Sequence, residues 1–256
     1  MIWLRSAVFN AYFFAVTFIL TLIGTGLWLV APSRIGDFAR LWARLILAGA
    51  RLMCGIRFAV LGSERLPRSG AALIASRHQS TFDTLVWIAL LPRCCYVLKR
   101  ELLRIPLFGT LIRAAGMIAI DRDAGATALR ALARAGEQAA SEGRQIVIFP
   151  EGTRSEPDRP LALQPGVAAL AARTNLPIIP VATDSGLYWG RRAFRKRPGT
   201  IRIRLHPPIP PGLPRSELMQ RLASSLRNLG ADTGEVVDNS VGRVRSGFGD
   251  HHSQVR

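Results

Sequence analysis

The residues best suited to acid–base chemistry are a histidine and an aspartate five positions apart, in Arg77-His78-Gln79-Ser80-Thr81-Phe82-Asp83. A carboxylate that accepts the imidazole Nδ1–H would fix the tautomer and leave Nε2 free to take a proton. Such a histidine is a general base, which contributes roughly 10²–10⁴-fold in rate when it is correctly placed. A second interpretation stays open, because Ser80-x-x-Asp83 also fits a helix capping box in which the carboxylate serves only the helix N-terminus.

The apolar segments on either side decide whether the two side chains can meet. The run at 71–76 is typical of a short buried strand, and the run at 84–91 is typical of a helix that ends before Pro92. On one continuous helix, five positions would place the second side chain about 140° from the first. The pair can meet when His78 lies in the loop and Asp83 lies in the first helical turn, so the sequence predicts a strand, a loop and then a helix.

A second polar motif follows another apolar strand, at Pro150-Glu151-Gly152-Thr153-Arg154-Ser155 after 145–149. Pro150 ends the strand, Gly152 permits close approach of the backbone to a ligand, and Arg154 offers a planar guanidinium that suits phosphate. A surface turn with a solvated arginine is the alternative interpretation. If both strands end at one edge of the sheet, the base and an anion-binding side chain lie together there.

From residue 58 onward, short apolar runs alternate with helical patterns. The predicted strands are 58–61, 71–76, 95–99, 117–120, 145–149, 178–182 and 200–205, and the predicted helices are 84–91, 106–114, 124–142, 166–173 and 215–229. This alternation predicts an α/β fold with a mostly parallel sheet covered by helices and functional loops at the strand C-termini. We predict three parts: membrane-anchoring helices at 1–57, an α/β domain at 58–230, and a polar, disordered tail at 231–256.

The charge of the chain predicts an anionic partner. The formal net charge is +17 at pH 7, which suits nucleic acid, an anionic membrane surface or a phosphorylated small substrate. The mean hydropathy of +0.20 favours the membrane, and we expect no nucleic-acid partner. Cys54, Cys94 and Cys95 form no CxxC pair and are expected to be reduced core residues. No clustered ligand set predicts a metal site.

The N-terminal segment predicts the membrane anchor. No charged residue lies between Arg5 and Arg34, a distance longer than the ~20 residues that span a bilayer core. A signal peptide is the competing interpretation, but no small-residue cleavage site closes the run. The sequence leaves open whether this segment crosses the bilayer or enters one leaflet. More arginines follow the segment than precede it, which predicts a cytoplasmic-membrane protein with its main domain on the cytoplasmic side.

Two further basic segments have open interpretations. The predicted helix at 37–57 carries Arg40, Arg44 and Arg51 on one face, so it either lies in the headgroup layer or is a core helix with a solvated face. Residues 188–197 mix aromatic side chains with five cations. That loop suits anionic headgroups, an acidic protein partner or the phosphates of a ligand, while single-stranded nucleic acid and a plain solvated loop are the alternatives.

Four sequence blocks between residues 58 and 211 resemble the glycerophospholipid acyltransferase family, particularly the 1-acyl-glycerol-3-phosphate acyltransferases. The blocks are His78-x4-Asp83; Lys99-Arg100-Glu101-Leu102 with Pro106 and Gly109, then Gly116 to Arg122; Phe149 to Ser155; and Pro177 to Ala182. Their order makes the match far more specific than any single block. The sequence departs from the family pattern at two places. Arg77 stands where asparagine is common, and Leu163-Gln164-Pro165 lacks the lysine often found just before Gly166.

The resemblance implies a role for each matching residue. His78 would be the general base and Asp83 its orienting partner. A substrate-binding set would hold the glycerol-phosphate portion of the acceptor, and Lys99 and Pro180 would serve the acyl pocket or the donor. The substrate-binding set comprises Arg122, Glu151, Gly152, Thr153 and Arg154. We further expect backbone N–H groups near the Ser80 helix start to stabilise the oxyanion.

The expected activity is O-acyl transfer from a thioester to the free hydroxyl of lysophosphatidic acid, giving phosphatidic acid in phospholipid biosynthesis. Acyl-CoA or acyl-carrier protein would be the donor, with no other cofactor. There are two alternative acceptors: another lysolipid, such as a lyso-ornithine lipid, and glycerol-3-phosphate. A membrane-tethered, non-catalytic basic module is the alternative from another class.

Overall fold

The fold is built on one eight-stranded sheet, seen in a computed structural model that describes residues 1–156, 162–230 and 237–238. The strands are β1 (Ile56–Leu61), β2 (Ala72–Ser76), β3 (Cys94–Lys99), β4 (Ile118–Ile120), β5 (Gln145–Ile148), β6 (Ile178–Thr183), β7 (Gly199–Leu205) and β8 (Val237–Asp238). The α-helices are α1 (Ile2–Val30), α2 (Ile35–Cys54), α3 (Thr81–Leu90), α4 (Phe108–Ala114), α5 (Gly125–Ser141), α6 (Gly166–Thr174), α7 (Ser185–Tyr188) and α8 (Arg215–Arg227).

The sheet order is β4-β3-β5-β2-β6-β7-β1-β8. The strands from β4 to β6 pair in parallel, as do β7 and β1, while β6–β7 and β1–β8 pair in antiparallel fashion. The predicted mostly parallel sheet is therefore confirmed. The C-terminal ends of β2 and β5 lie side by side, with Ala75 opposite Ile148, so the loops that carry the two polar motifs emerge together.

Helices cover both faces of this sheet. One core includes residues of α1, α2 and α3, among them Phe9, Ile46 and Trp87. The other includes residues of α5, α6 and α8, and Leu132 and Leu170 belong to it. Burial on both faces explains why the parallel strands are continuous apolar runs rather than alternating ones.

The strand and helix predictions are close, with boundary shifts that have local causes. Helix α3 begins at Thr81 rather than residue 84, because the Ser80 side chain accepts from the Phe82 N–H and caps the helix. Helix α2 ends at Cys54, where Gly55 adopts a left-handed conformation, so β1 starts inside the segment predicted as membrane anchor. The tail at 231–256 lies outside the described residues apart from the short strand β8.

Helix α2 packs into the core on one face, while its outer face exposes Leu41, Leu45 and Leu52 beside Arg44, so both interpretations of its arginine stripe stay open. Ala43, Ile46 and Ala50 are buried in the core shared with α1 and α3. Arg40 donates to the carbonyl oxygen of Pro92 and pairs with Asp37 at 3.3 Å. The helix therefore links α1 to the sheet.

The basic loop after α7 is anchored on α1 through Trp189 and Lys196, while Arg191 and Arg192 remain exposed. Trp189 is buried edge-on against Phe9, with ring centroids 5.1 Å apart. The Lys196 ammonium donates to Asn10 Oδ1 at 2.6 Å, and its backbone N–H donates to Ser6 Oγ at 3.0 Å. Burial lowers the pKa of Lys196, and these acceptors compensate part of the lost hydration. The loop therefore connects the N-terminal helix to the α/β domain through these contacts.

We predict that Gly109→Ala destabilises the protein by about 1–3 kcal/mol, because an added Cβ would overlap the backbone carbonyl of Leu103, which cannot move aside like a side chain. The matched control is Gly36→Ala in α2, where a Cβ would meet nothing within 4 Å. Denaturant unfolding in detergent micelles measures both variants. Equal stability of the two variants would contradict the close approach of α4 to the preceding segment.

Candidate active site

His78 and Asp83 meet as the sequence predicts. His78 lies in the loop between β2 and α3, and its Nδ1 is 3.2 Å from Asp83 Oδ2. The Asp83 side chain is 2% exposed and the His78 side chain 13% exposed. Because an ionised carboxylate only accepts, this contact selects the Nδ1–H tautomer and leaves Nε2 as the basic nitrogen.

The capping box is present as well, so the two interpretations of this motif hold together. Asp83 Oδ2 also accepts from the backbone N–H groups of Gln79 and Ser80, at 2.7 and 2.8 Å. Ser80 Oγ accepts from the Phe82 N–H at 3.0 Å. The N–H groups of Gln79, Ser80 and Phe82 are therefore occupied, and an oxyanion donor near this helix start stays a prediction that these three groups do not supply.

The two polar loops are tied together through the backbone of His78. Its N–H donates to Glu151 Oε1 at 2.8 Å, and its carbonyl accepts from the Ser155 N–H, also at 2.8 Å. The imidazole stacks on Phe149 with ring centroids 4.0 Å apart. Neighbouring strands β2 and β5 bring these groups together, and the ring has little freedom to rotate.

Glu151 has a different position from the one expected of a substrate-binding residue. Its side chain is buried, it holds the His78 backbone, and it is absent from the lining of the cavity described below. Burial raises the pKa of Glu151, and the hydrogen bonds from Ser155 and the His78 backbone oppose that shift. We assign Glu151 as a positioning residue for His78.

A cavity of about 440 Å³ opens beside His78. Its larger part is apolar and is lined by α1, α2, α3, β3 and α4, with Leu20, Phe38, Trp42, Ile88 and Leu111 among the lining residues. Its polar part includes His78, Lys99, Gly152 and Thr153, together with four arginines, Arg122, Arg154, Arg191 and Arg192. The sequence motifs did not predict that α1 and α2 form an apolar wall of the cavity. In the sequence, both segments were assigned to the membrane anchor.

The arginines give the polar end a strong positive potential. None of the cavity-lining residues in the described part of the chain is an aspartate or glutamate. Arg122 donates to the Gly152 carbonyl, whereas Arg154 Nε is buried without a hydrogen-bond partner among the described residues. Burial lowers the pKa of Arg154, the Asp83 carboxylate opposes that shift, and the nearby cations Arg191 and Arg192 add to it. A buried guanidinium N–H with no acceptor among the described residues is suited to an anionic ligand.

Sequence reasoning did not single out Arg191 and Arg192 as site residues. Both lie in the basic loop, in the turn closed by the hydrogen bond from the Ala193 N–H to the Gly190 carbonyl. The Arg191 guanidinium donates to the Arg154 carbonyl at 3.3 Å. The sequence feature that could have identified them is the mixture of aromatic and cationic residues at 188–197. Only the tertiary contacts of this loop with α1 place the turn beside the cavity.

Pro180 lies away from the cavity. It is a buried residue of β6 and pairs with Ala75 of β2. Its neighbours Ile179 and Val181 join the core on the α1–α3 side, whereas Ile178 joins the core on the α5–α6 side. Alternation along the strand therefore directs Pro180 to the face opposite the cavity, which corrects its expected place in an acyl pocket.

The cysteines have the buried character expected from the sequence. Burial raises the pKa of Cys95 to about 11, and it raises the pKa of Cys94 still further. A thiol of this kind stays protonated at neutral pH and is a poor nucleophile. In the described part of the chain, no cluster of three or more His, Cys, Asp or Glu side chains is arranged to hold a metal ion.

Comparisons with known proteins find related sequences. A family model described as Acyltransferase matches residues 57–184. The chain is 35% identical to a 1-acyl-sn-glycerol-3-phosphate acyltransferase of Pseudomonas aeruginosa over 72% of this chain and 73% of that protein. It is 32% identical to the mouse 1-acyl-sn-glycerol-3-phosphate acyltransferase alpha over 65% of this chain and 59% of the mouse protein.

A solved structure has the same fold. The 1-acyl-sn-glycerophosphate (LPA) acyltransferase of Thermotoga maritima superposes with a TM-score of 0.69 at 21% identity, covering 89% of this chain and 95% of that one.

We predict that Glu151→Ala lowers the free energy of unfolding by about 1–3 kcal/mol, because it leaves the buried His78 N–H without an acceptor. Glu151→Gln is the matched control, since its amide oxygen can still accept that hydrogen bond. Denaturant unfolding compares the two variants with the unmodified protein. Similar losses for glutamine and alanine would show that the carboxylate charge, rather than the hydrogen bond, matters.

Proposed function

The chain belongs to the acyltransferase family, and from that premise we propose that it transfers a fatty acyl group from a thioester to the free hydroxyl of lysophosphatidic acid, giving phosphatidic acid. The observation that carries this proposal is the shared cavity. An imidazole held by a carboxylate and a cluster of arginines line one end, and apolar side chains line the rest. This is the shape expected of a site for amphiphiles with a phosphate head.

In the proposed reaction, His78 acts as the general base. The Nε2 lone pair takes the hydroxyl proton as the acceptor oxygen attacks the thioester carbonyl carbon. Collapse of the tetrahedral intermediate breaks the C–S bond, and the thiolate takes a proton from the imidazolium or from water. A thiolate leaves without strong acid assistance because its conjugate acid has a pKa far below that of an alcohol. No acyl-enzyme is required, in line with the raised pKa of both Cys94 and Cys95.

The phosphate of the acceptor is proposed to bind Arg154 and Arg122. These side chains line the cavity that His78 also lines, so binding of the phosphate would orient the hydroxyl toward the imidazole. Gly152 contributes through its backbone, since its left-handed conformation, with φ of 69°, turns the chain between Glu151 and Arg154. Thr153 lies on the cavity wall between these groups.

The donor thioester is proposed to enter past Arg191, Arg192 and Lys99. All three line the cavity, and the two arginines are exposed. Their charge suits the phosphates of coenzyme A or the phosphopantetheine phosphate of an acyl-carrier protein. The acyl chain would occupy the apolar part of the cavity, between α1 and α3.

We propose that α1 lies in one leaflet of the membrane rather than crossing it. It is the one described helix that is long and apolar enough to span a bilayer. However, it contacts the rest of the protein from Ser6, which bonds to Lys196, to Gly24, which packs on Phe38. That interval covers about 27 Å, nearly the whole hydrocarbon thickness. One face therefore remains for lipid, and Phe14, Phe18 and Leu22 are exposed on it.

The cytoplasmic side of the inner membrane is the proposed location of the domain. The excess of arginines after α1 supports that side.

Membranes that contain the protein, supplied with labelled acyl-CoA or acyl-carrier protein and a panel of lysolipids, test the proposed function. Transfer to lysophosphatidic acid supports it. Transfer only to a lyso-ornithine lipid or to glycerol-3-phosphate would show that this molecule, and not lysophosphatidic acid, is the acceptor. Absence of all transfer, together with salt-sensitive binding of anionic polymers, would indicate a non-catalytic module instead.

His78→Ala is predicted to lower kcat by about 10²–10⁴-fold, because it removes the general base. Asp83→Asn should lower kcat by a factor of at least about 10², since an amide no longer selects the Nδ1–H tautomer. Ser80→Ala is the matched control. It removes the cap to the Phe82 N–H and costs about 1 kcal/mol of stability, but it should leave kcat within a few fold. Steady-state kinetics and thermal unfolding on the same preparations separate these effects.

Arg154→Ala is predicted to raise the KM for lysophosphatidic acid by about 10–100-fold, the equivalent of one charge-assisted hydrogen bond of about 1.5–3 kcal/mol. The KM for the acyl donor should change far less. The control is Arg173→Ala, which removes only a surface pair with Glu137. An unchanged acceptor dependence in Arg154→Ala would eliminate this residue as the phosphate ligand.

A further inference from the structure

The connection from β3 to α4 carries exposed apolar side chains. Leu102, Ile105 and Leu107 expose 39%, 44% and 42% of their surface. A single exposed leucine is ordinary on a soluble surface. Three large aliphatic residues within six positions form a patch, and such patches mark contact surfaces.

Leu107 is held in this position by an unusual backbone turn. Its φ of 61° and ψ of −53° fall in the positive-φ γ-turn region, and the Phe108 N–H donates to the Pro106 carbonyl at 2.6 Å, which closes the turn. This turn is rare and strained for a residue with a side chain. Glycine would remove the strain, yet the chain has leucine there. Because the Leu107 side chain is 42% exposed, packing within the described part of the protein does little to offset the backbone strain.

The apolar residues are surrounded by positive charge. Lys99, Arg100 and Arg104 flank them, and Arg113 follows in α4. Two of these cations are paired, since Lys99 lies 2.9 Å from Glu101 and Arg100 lies 3.6 Å from Asp121. The excess of positive charge around the patch therefore comes from Arg104 and Arg113. An apolar centre with a basic rim is complementary to an anionic lipid surface, where aliphatic side chains enter the acyl region and cations stay at the headgroups.

The patch also adjoins the helix proposed to lie in the membrane. Helix α4 packs on α1, where Gly24 allows Leu111 to approach closely, and Phe108 packs edge-on against Trp42 of α2 with ring centroids 6.4 Å apart. Leu102 is both exposed and part of the cavity wall. The patch thus directly precedes a helix that packs on α1, and Leu102 connects the patch with the interior of the cavity.

We propose that Leu102, Ile105 and Leu107 form a second membrane-contacting element that enters the same leaflet as α1, with an anionic phospholipid bilayer as its partner. The cavity would then open between two inserted elements. A lipid chain could pass from the bilayer into the apolar part of the cavity beside Leu102 without crossing water. This inference concerns lipid contact and does not depend on which reaction the site performs.

Fluorophore labelling of the full-length protein tests the insertion. Leu107→Cys, Phe18→Cys on α1 and Ser224→Cys on α8 are labelled with an environment-sensitive dye, and the unmodified protein, with its three native cysteines, provides the labelling background. Each protein is reconstituted in phosphatidylglycerol-containing vesicles with or without brominated acyl chains. We expect brominated lipid to quench the dyes at positions 107 and 18 at least twofold and to leave the dye at 224 unchanged. Quenching at 18 without quenching at 107 would overturn the proposal.

A second variant separates insertion from folding. Leu107→Gly relieves the positive-φ strain, so its unfolding midpoint should be equal to or above that of the unmodified protein. Quenching of a dye at Ile105→Cys should nevertheless decrease in the Leu107→Gly background, because one inserted side chain is lost. Unchanged quenching would count against insertion. The fluorescence emission of the dye at position 107 is also recorded in detergent without vesicles. A blue shift of that emission that appears only at high protein concentration would show that the patch mediates self-association instead.

Discussion

One carboxylate oxygen, Asp83 Oδ2, organises the site. It accepts from the backbone N–H groups of Gln79 and Ser80 and lies 3.2 Å from the imidazole of His78. The side chain is almost fully buried, so its charge depends on these donors in place of water. The oxygen that starts α3 is also the oxygen that orients the base, and the geometry of the imidazole therefore depends on the correct start of a helix.

A second constraint comes from the parallel pairing of β2 and β5. Their C-terminal ends are neighbours, and the loops that leave them share hydrogen bonds through the His78 backbone, with Glu151 on one side and Ser155 on the other. Stacking on Phe149 adds a flat apolar surface behind the ring. These contacts join the two loops into one hydrogen-bonded unit, which suits a base that must stay within reach of a substrate hydroxyl.

The cavity connects this polar unit to the apolar N-terminal helices. Helix α1 serves two roles, because one face packs on α2 and the basic loop while another remains exposed and apolar. The buried ammonium of Lys196, which bonds to Asn10, ties the helix to the loop that carries Arg191 and Arg192. A substrate with a lipid tail and a phosphate head fits the resulting gradient from apolar wall to cationic end.

The amino-acid sequence by itself determined the local parts. Apolar runs predicted the strands, and Ser80-x-x-Asp83 predicted both the cap and the partner of His78, because these features depend on neighbouring residues and a short-range period. Glu151 could not be recognised as the support of His78, since that hydrogen bond joins residues 73 positions apart. The side of the sheet that Pro180 faces could not be read from the sequence either, because the alternation of Pro180 with Ile179 gains meaning only when a helix layer covers each face.

The walls of the cavity and the direction of Arg191 and Arg192 were likewise decided by tertiary structure. In the sequence α1 is an apolar segment whose only evident partner is lipid, whereas in the fold its contacts with Trp189 and Trp42 divide it into a packed face and an exposed face. Short-range patterns specify which segments are apolar and which side chains can accept or donate protons. Which surfaces meet depends on long-range packing, because burial of each apolar face requires a partner from elsewhere in the chain.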